Sequence, residues 1–145
     1  MTTQKMTRND WGLFLLRAMI GVVFVFHGGQ KLFGLFGGYG LEATAGWMES
    51  INIPFPMLSA TLAGATEFFG GILLIIGFAV RLVGIPLAIT MFVAAGTHTG
   101  FNIQSGGMEY ALTLAIASLA LSLTGPGAIA VPMPKKKSAN VQAAS

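Results

Sequence analysis

No cysteine occurs anywhere in the 145 residues. That absence excludes disulfides, thiolate nucleophiles and cysteine-held zinc or iron–sulfur centres within the chain. Any redox chemistry therefore needs a bound organic cofactor, a histidine-held metal or a partner subunit. Charge is nearly as scarce, at 9% of residues, against roughly 25% in ordinary soluble domains. No glycine-rich phosphate motif links a strand to a helix, so HGG and FGGYG read as turns and packing sites. Glu-x-x-His spacing is missing too, and no zinc or di-iron centre is expected. The net charge of +3 comes from basic residues in short flanks of apolar segments, which is a topology signal and not a nucleic-acid surface.

What remains is apolar. Hydrophobic residues make up 54% of the chain and the mean hydropathy is +0.74. Such a composition describes a multi-pass membrane protein, and at ~20 residues per span the length holds one small bundle without a separate catalytic domain. Four apolar segments are legible: Trp11 to Phe33, Met57 to Phe78, Leu82 to Thr97 and Met108 to Leu123. The last two are short for spans. Lys5 and Arg8 ahead of the first segment imitate a signal peptide, but Arg17 inside it, with no A-x-A-like site following, predicts a retained helix.

The expected fold is all-α, an integral membrane four-helix transmembrane bundle. Its parts are a flank over 1–10, a four-span domain over 11–131 and a basic, disordered tail over 132–145. Lys5, Arg8, Arg81 and Lys135 to Lys137 fall on one side of the bundle, and Lys31 with Glu42 and Glu49 on the other. The positive-inside rule then places both termini in the cytoplasm of a bacterial-type plasma (inner) membrane, the tail lysines drawn to anionic headgroups. Between the first two spans, LEATAGWMESI reads either as a short interfacial helix or as an ordinary polar loop, ended by Pro54 and Pro56.

Ionisable residues inside spans cost at least ~2.5 to 3.5 kcal/mol each near the bilayer centre, so they must face protein or water. Arg17 and Glu67 are expected to form a buried ion pair, either as part of a site or simply as a lock on the bundle. Along the first span, Arg17, His27 and Lys31 fall within an arc of roughly 80°, beside Gly21 and Gly28. The second span matches with Gly64, Glu67 and Gly71 on one face. The third lines up Gly84, Ala88, Met91, Ala95 and His98, and the fourth opens with Glu109 and Tyr110. His27, Lys31, His98 and Glu109 should therefore gather at the outer end as a candidate ligand or proton site. Singly, an interfacial histidine, a snorkelling lysine or an acidic first turn needs no ligand. Several on facing surfaces are harder to explain that way.

These residues also carry a resemblance. LLRAMIGVVFVFHGGQKLFG, then GATEFFGGILLIIGFAVRL, an isolated histidine, Glu109 and finally GPG resemble the DoxX family of small four-helix membrane proteins, over about residues 11 to 131. The order Arg, HGxxK, ExxGG, GxxxR and GPG carries the resemblance. Members often continue from the GPG-like turn to an aspartate, whereas GPGAIAVP has none, so no role of that acid transfers. The resemblance implies an inner-membrane protein with a loose redox association: the family is named for a subunit linked to thiosulfate and quinone oxidoreduction, and other members associate with detoxifying redox enzymes. Arg17, His27, Lys31, Glu67, Arg81, His98 and Glu109 match its recurring polar positions, without a catalytic role attached to any of them.

Three functions fit. The first is a redox-associated subunit that binds a quinone-type headgroup or couples a partner oxidoreductase to the quinone pool. His27, Lys31 and His98 would stabilise the reduced ring and Glu67 or Glu109 would carry protons, with Phe24, Phe26, Phe33, Phe68 and Phe69 as an apolar slot. The second is a small-molecule or proton carrier, which four short helices without inverted repeats could form by homo-oligomerising or by leaving a wide interior. The third is a scaffold without catalysis. A haem between His27 and His98 is the weaker cofactor reading, because Lys31 would put positive charge beside the iron.

Overall fold

The computed structural model describes residues 6–132. Lys5 and Lys135 to Lys137, and with them most of the expected tail, lie outside the described residues. Among these residues five α-helices and two single 3-10 turns are formed and no strand: α1 (Arg8–Phe33), α2 (Gly40–Ser50), α3 (Pro56–Ile76), α4 (Val80–Gly96) and α5 (Glu109–Thr124). The four apolar segments become α1, α3, α4 and α5. LEATAGWMESI is the helix α2, with Ala45 buried and Glu42 and Glu49 exposed.

Local chemistry sets the ends. Thr7 and Asp10 form a reciprocal capping box at the start of α1, Thr7 N–H donating to Asp10 Oδ2 at 2.9 Å, and Gly34 in the left-handed region ends that helix. Pro56 occupies the first turn of α3, where its missing N–H costs nothing, and left-handed Gly77 ends it. α1 and α3 are long and apolar enough to cross a membrane. At 17 and 16 residues, α4 and α5 reach only about 25 Å at 1.5 Å per residue, so they stand steeply or lean on their flanks.

The bundle is apolar outside. Leu15, Met19, Leu62, Leu82, Ile89 and Val93 all stand exposed, whereas Arg17, Glu67 and Ser118 are fully buried. This is the distribution a hydrocarbon solvent demands, since it leaves apolar faces free and drives polar groups into helix interfaces. With no hydrophobic drive between helices in lipid, close contact must come from small residues. α1 packs chiefly on α3 and α4 on α5. A Cβ on Gly71 would lie 2.6 Å from the Gly21 carbonyl oxygen, and one on Gly84 would lie 2.6 Å from the Ser118 carbonyl oxygen. Both pairs of helices are therefore in backbone contact.

That register corrects one expectation. Gly21 meets Gly71 and Gly28 meets Phe68, so antiparallel α1 and α3 bring Lys31 to the level of Glu67 and carry Arg17 past it. Residue 74 lies about 10 Å further along α3 than residue 67 at 1.5 Å per residue. Arg17 accordingly does not pair with Glu67. Its guanidinium donates to the carbonyls of Leu74 (2.8 Å), Ile75 (2.9 Å) and Ile129, capping the C-terminus of α3 and tying down the segment after α5. Gly77 is required here, since a Cβ would lie 2.5 Å from Arg17 Nη1 and the backbone has φ of 76°.

The same end of the bundle, where α1 begins and α3 ends, is strapped at other points. Asp10 Oδ1 accepts from Ala128 N–H at 2.8 Å, Val131 N–H donates to Ile76 at 3.3 Å, and Arg81 donates to the Thr124 carbonyl at 3.3 Å. Hydrogen bonds from the Thr7 side chain, then its backbone, then Ala128 hold the Asp10 carboxyl below the usual aspartate value. The segment after the GPG turn thus folds back against the start of α1 and the end of α3.

Candidate ligand site

At the end of the bundle away from the N-terminus of α1, the α1–α3 and α4–α5 pairs separate around a cavity of about 610 Å³. His27 and Lys31 reach it from α1, Glu67 from α3, His98 from the end of α4 and Tyr110 from α5, with Trp47 and Met48 of α2 at its outer side. Three of the four expected outer residues therefore share one cavity, joined by Glu67, which the sequence had assigned to Arg17.

The centre of the site is a charge pair. Lys31 Nζ donates to Glu67 Oε1; Glu67 is 0% exposed, whereas the Lys31 side chain keeps 29% exposure. Of the two side chains, that of Lys31 is therefore the more accessible. Glu67 Oε2 is buried with no hydrogen-bond partner, so the pair is incompletely satisfied within the protein.

Tyr110 stands across from it. His27 Nε2 and the Tyr110 hydroxyl are 3.2 Å apart, bridging α1 to α5, and the ring of Phe26 stands edge-on to His27 at 5.5 Å between centroids. Tyr110 was legible only as the neighbour of Glu109 in the first turn of the fourth span. Its hydroxyl, and not the Glu109 carboxylate, is what α5 contributes. Glu109 does not line the cavity: Oε1 accepts from Ile103 N–H at 2.8 Å and braces the connection between α4 and α5. A carboxylate in a first turn serves nearby free N–H groups before anything more distant, which explains the difference.

His98 enters with its ring held through Nδ1. Its Nδ1 lies 2.7 Å from the Ala94 carbonyl oxygen and 3.3 Å from Thr97 Oγ1. A carbonyl can only accept, so Nδ1 donates to it, and Nε2 is left without a hydrogen bond to Ala94 or Thr97. The aromatic slot is mostly not formed. Phe24 lines the cavity, but Phe33, Phe68 and Phe69 pack edge to face with one another at 5.2 and 5.4 Å, and Phe26 stacks on Phe36 at 4.9 Å. The apolar wall is aliphatic instead, built from Leu62, Ala63, Ile89, Val93 and Leu114. Among the described residues no three His, Asp or Glu side chains group as a metal ion requires.

An apolar pocket with a few convergent donors at one end is suited to a ligand whose body is greasy and whose head carries acceptor oxygens. Comparison with known proteins identifies the family of the chain. Residues 12–100 match the DoxX family. The chain is 33% identical over 135 residues, 91% of its length and 95% of the relative's, to a Bacillus subtilis (strain 168) protein named "Putative oxidoreductase CatD". It is 33% identical to the Escherichia coli (strain K12) "Inner membrane protein YphA", covering 82% and 88% of the two chains. To "Inner membrane protein YqjF" of the same organism it is 28% identical, covering 85% and 91%. No solved structure matches the chain.

Proposed function

The chain belongs to the DoxX family, and from that premise we propose that it is a redox-associated subunit of a bacterial inner membrane that binds a quinone-type headgroup in the outer cavity. The observation that carries this reading is that the Lys31–Glu67 pair and the His27–Tyr110 pair, one helical turn apart on α1, both border one largely apolar cavity. The names of its relatives, one an oxidoreductase and two inner-membrane proteins, support the same setting.

The residues fit such a group. A flat ring with two carbonyl oxygens needs donors at its edge and apolar contact on its faces, and the cavity offers an ammonium, an imidazole beside a phenol, and the apolar side chains of Phe24, Ala63 and Leu114. A bound quinone supplies reversible two-electron, two-proton chemistry. Lys31 orients an oxygen and offsets negative charge, an effect strengthened where water is excluded. Glu67 holds the ammonium in place. The His27–Tyr110 pair can pass a proton along its hydrogen bond, and His98 Nε2 is a further polar atom at the cavity. Electrons are exchanged with a partner oxidoreductase. Arg8 and Arg81 at the strapped end support a cytoplasmic location for both termini, with the cavity toward the outer leaflet.

The test is an anaerobic oxidised-minus-reduced absorption spectrum of the protein purified in mild detergent. An ultraviolet quinone change that is present in the native chain and lost in Lys31→Ala and His27→Ala is the expected result. A flat spectrum of the native chain after loading with short-chain quinone and removal of the unbound quinone by gel filtration would reject the reading.

A further inference from the structure

The cavity is closed on most sides but not on all. The His27–Tyr110 contact bridges α1 to α5, while Trp47 and Met48 of α2, with Gly106 and Gly107 of the α4–α5 connection, stand at its outer side. Inward, α3 and α4 meet where Leu87 packs over Gly70. From that contact outward the cavity occupies the space between them, and among the described residues no hydrogen bond joins the two helices there. Leu62 on α3 and Ile89 and Val93 on α4 line this space, yet they are 58%, 58% and 57% exposed on the bundle's apolar surface. A residue that is both cavity wall and lipid-facing surface marks a side opening. The opening therefore faces acyl chains and not water.

We infer that this gap between α3 and α4 is the entry route and tail subsite of a lipid-borne ligand. Resting on the quinone reading of the headgroup site, the occupant is a quinone bearing an alkyl or isoprenoid tail. The ring passes in from the bilayer toward Lys31 and His27, and the tail stays between Leu62, Ile89 and Val93. The energetics favour this route. The tail exchanges lipid contacts for equivalent aliphatic contacts at little cost, while the ring oxygens leave a medium without donors for one with an ammonium and a phenol. A headgroup without a tail makes no contact at the rim and is held by the polar end alone.

The experiment uses the full chain in lipid nanodiscs. Trp47 lines the cavity and the only other tryptophan is Trp11, so Trp11→Phe leaves Trp47 as the reporter. Quenching by decyl-ubiquinone is compared with quenching by its tailless headgroup, 2,3-dimethoxy-5-methylbenzoquinone, after subtracting collisional quenching of tryptophan octyl ester in identical discs. The tailed compound is expected to bind at least tenfold tighter. Leu62→Phe with Val93→Phe should lower its affinity tenfold or more and change that of the tailless ring less than twofold. Both side chains are on the surface; if this double variant fails to fold by thermal unfolding, Ile89→Phe alone serves, with the same pattern at a smaller size. Equal affinities for the two quinones, or rim variants that weaken both equally or neither, would overturn the lateral route and leave the headgroup site standing. Binding of neither compound to the unsubstituted site would overturn the quinone reading and this inference with it.

Discussion

Lys31 of α1 and Glu67 of α3 form the ion pair that Arg17 and Glu67 do not. Both border the cavity, but they are unequally accessible, the lysine side chain part-exposed and the glutamate buried. Removing either should leave the other as an uncompensated charge, at a cost of about 3 kcal/mol or more. Lys31→Met and Glu67→Gln should each lower the unfolding midpoint in detergent. The double variant should lose clearly less than the sum. Additive losses would show that the two do not act as a pair.

Arg17 should behave as a separate unit. It satisfies carbonyls at the end of α3 and in the segment after α5, so Arg17→Met exposes those acceptors without repair. Membrane abundance should fall while quinone binding per folded molecule stays within twofold. Arg17→Lys should rescue only in part, because an ammonium cannot reproduce the planar fork. Combined with Glu67→Gln, the loss should be additive within about 0.5 kcal/mol, since the sites share no partner. Strong coupling between them would contradict the register described above.

Glycines in this chain should divide sharply by position. A Cβ at Gly71 meets the Gly21 carbonyl oxygen at 2.6 Å, which is backbone and cannot yield, whereas nothing lies within 4 Å of a Cβ at Gly12. Gly71→Ala should separate α1 from α3 and reduce the unfolding temperature. Gly12→Ala should be neutral or stabilise by up to about 1 kcal/mol, as expected for glycine replaced inside a helix. Equal effects of the two would mean that close α1–α3 contact is not a determinant of stability.

The strap that ties the segment after α5 to the start of α1 should loosen in acid. Asp10 is held below its ordinary value, chiefly by hydrogen bonds from Thr7 and also by one from Ala128. A lowered folded pKa means that the contribution is complete above the ordinary aspartate value and is lost as pH falls through the lowered one. Hydrogen exchange at the Ala128 amide should speed up at low pH relative to amides of the α3 interior. Asp10→Asn should remove that acid dependence. An Ala128 amide with unchanged protection in Asp10→Asn would show that the carboxylate does not hold the strap.

Tyr110 offers a test of the pairing across the cavity. Tyr110→Phe removes one hydroxyl and leaves the ring against His27 at about the same 5.8 Å centroid distance. Quinone affinity should fall severalfold, with the unfolding temperature little changed. An unaltered affinity would assign Tyr110 to packing alone.

Much of this molecule was readable without coordinates. Hydrophobic runs fixed the apolar helices because in lipid every backbone group must be bonded within its own segment, which leaves helix as the available form for such a run. Helical phase alone put Gly21, Gly28, His27 and Lys31 on one side of α1 and Gly64, Glu67 and Gly71 on one side of α3, and the cost of intramembrane charge required those sides to meet. Phase says nothing about axial offset, however. Two helices that present the right faces can slide by a turn or more, and only backbone contacts such as Gly21 against Gly71 decide where they stop. That offset chose Lys31 over Arg17 as the partner of Glu67, sent Arg17 to the end of α3, and set His27 opposite Tyr110. Glu109 went to Ile103 for a local reason, a nearby N–H in a turn that a linear pattern does not display. The sequence by itself determined which side chains would be turned inward; the tertiary structure decided which of them touch, because contact depends on depth along the helix axis as well as on angle around it.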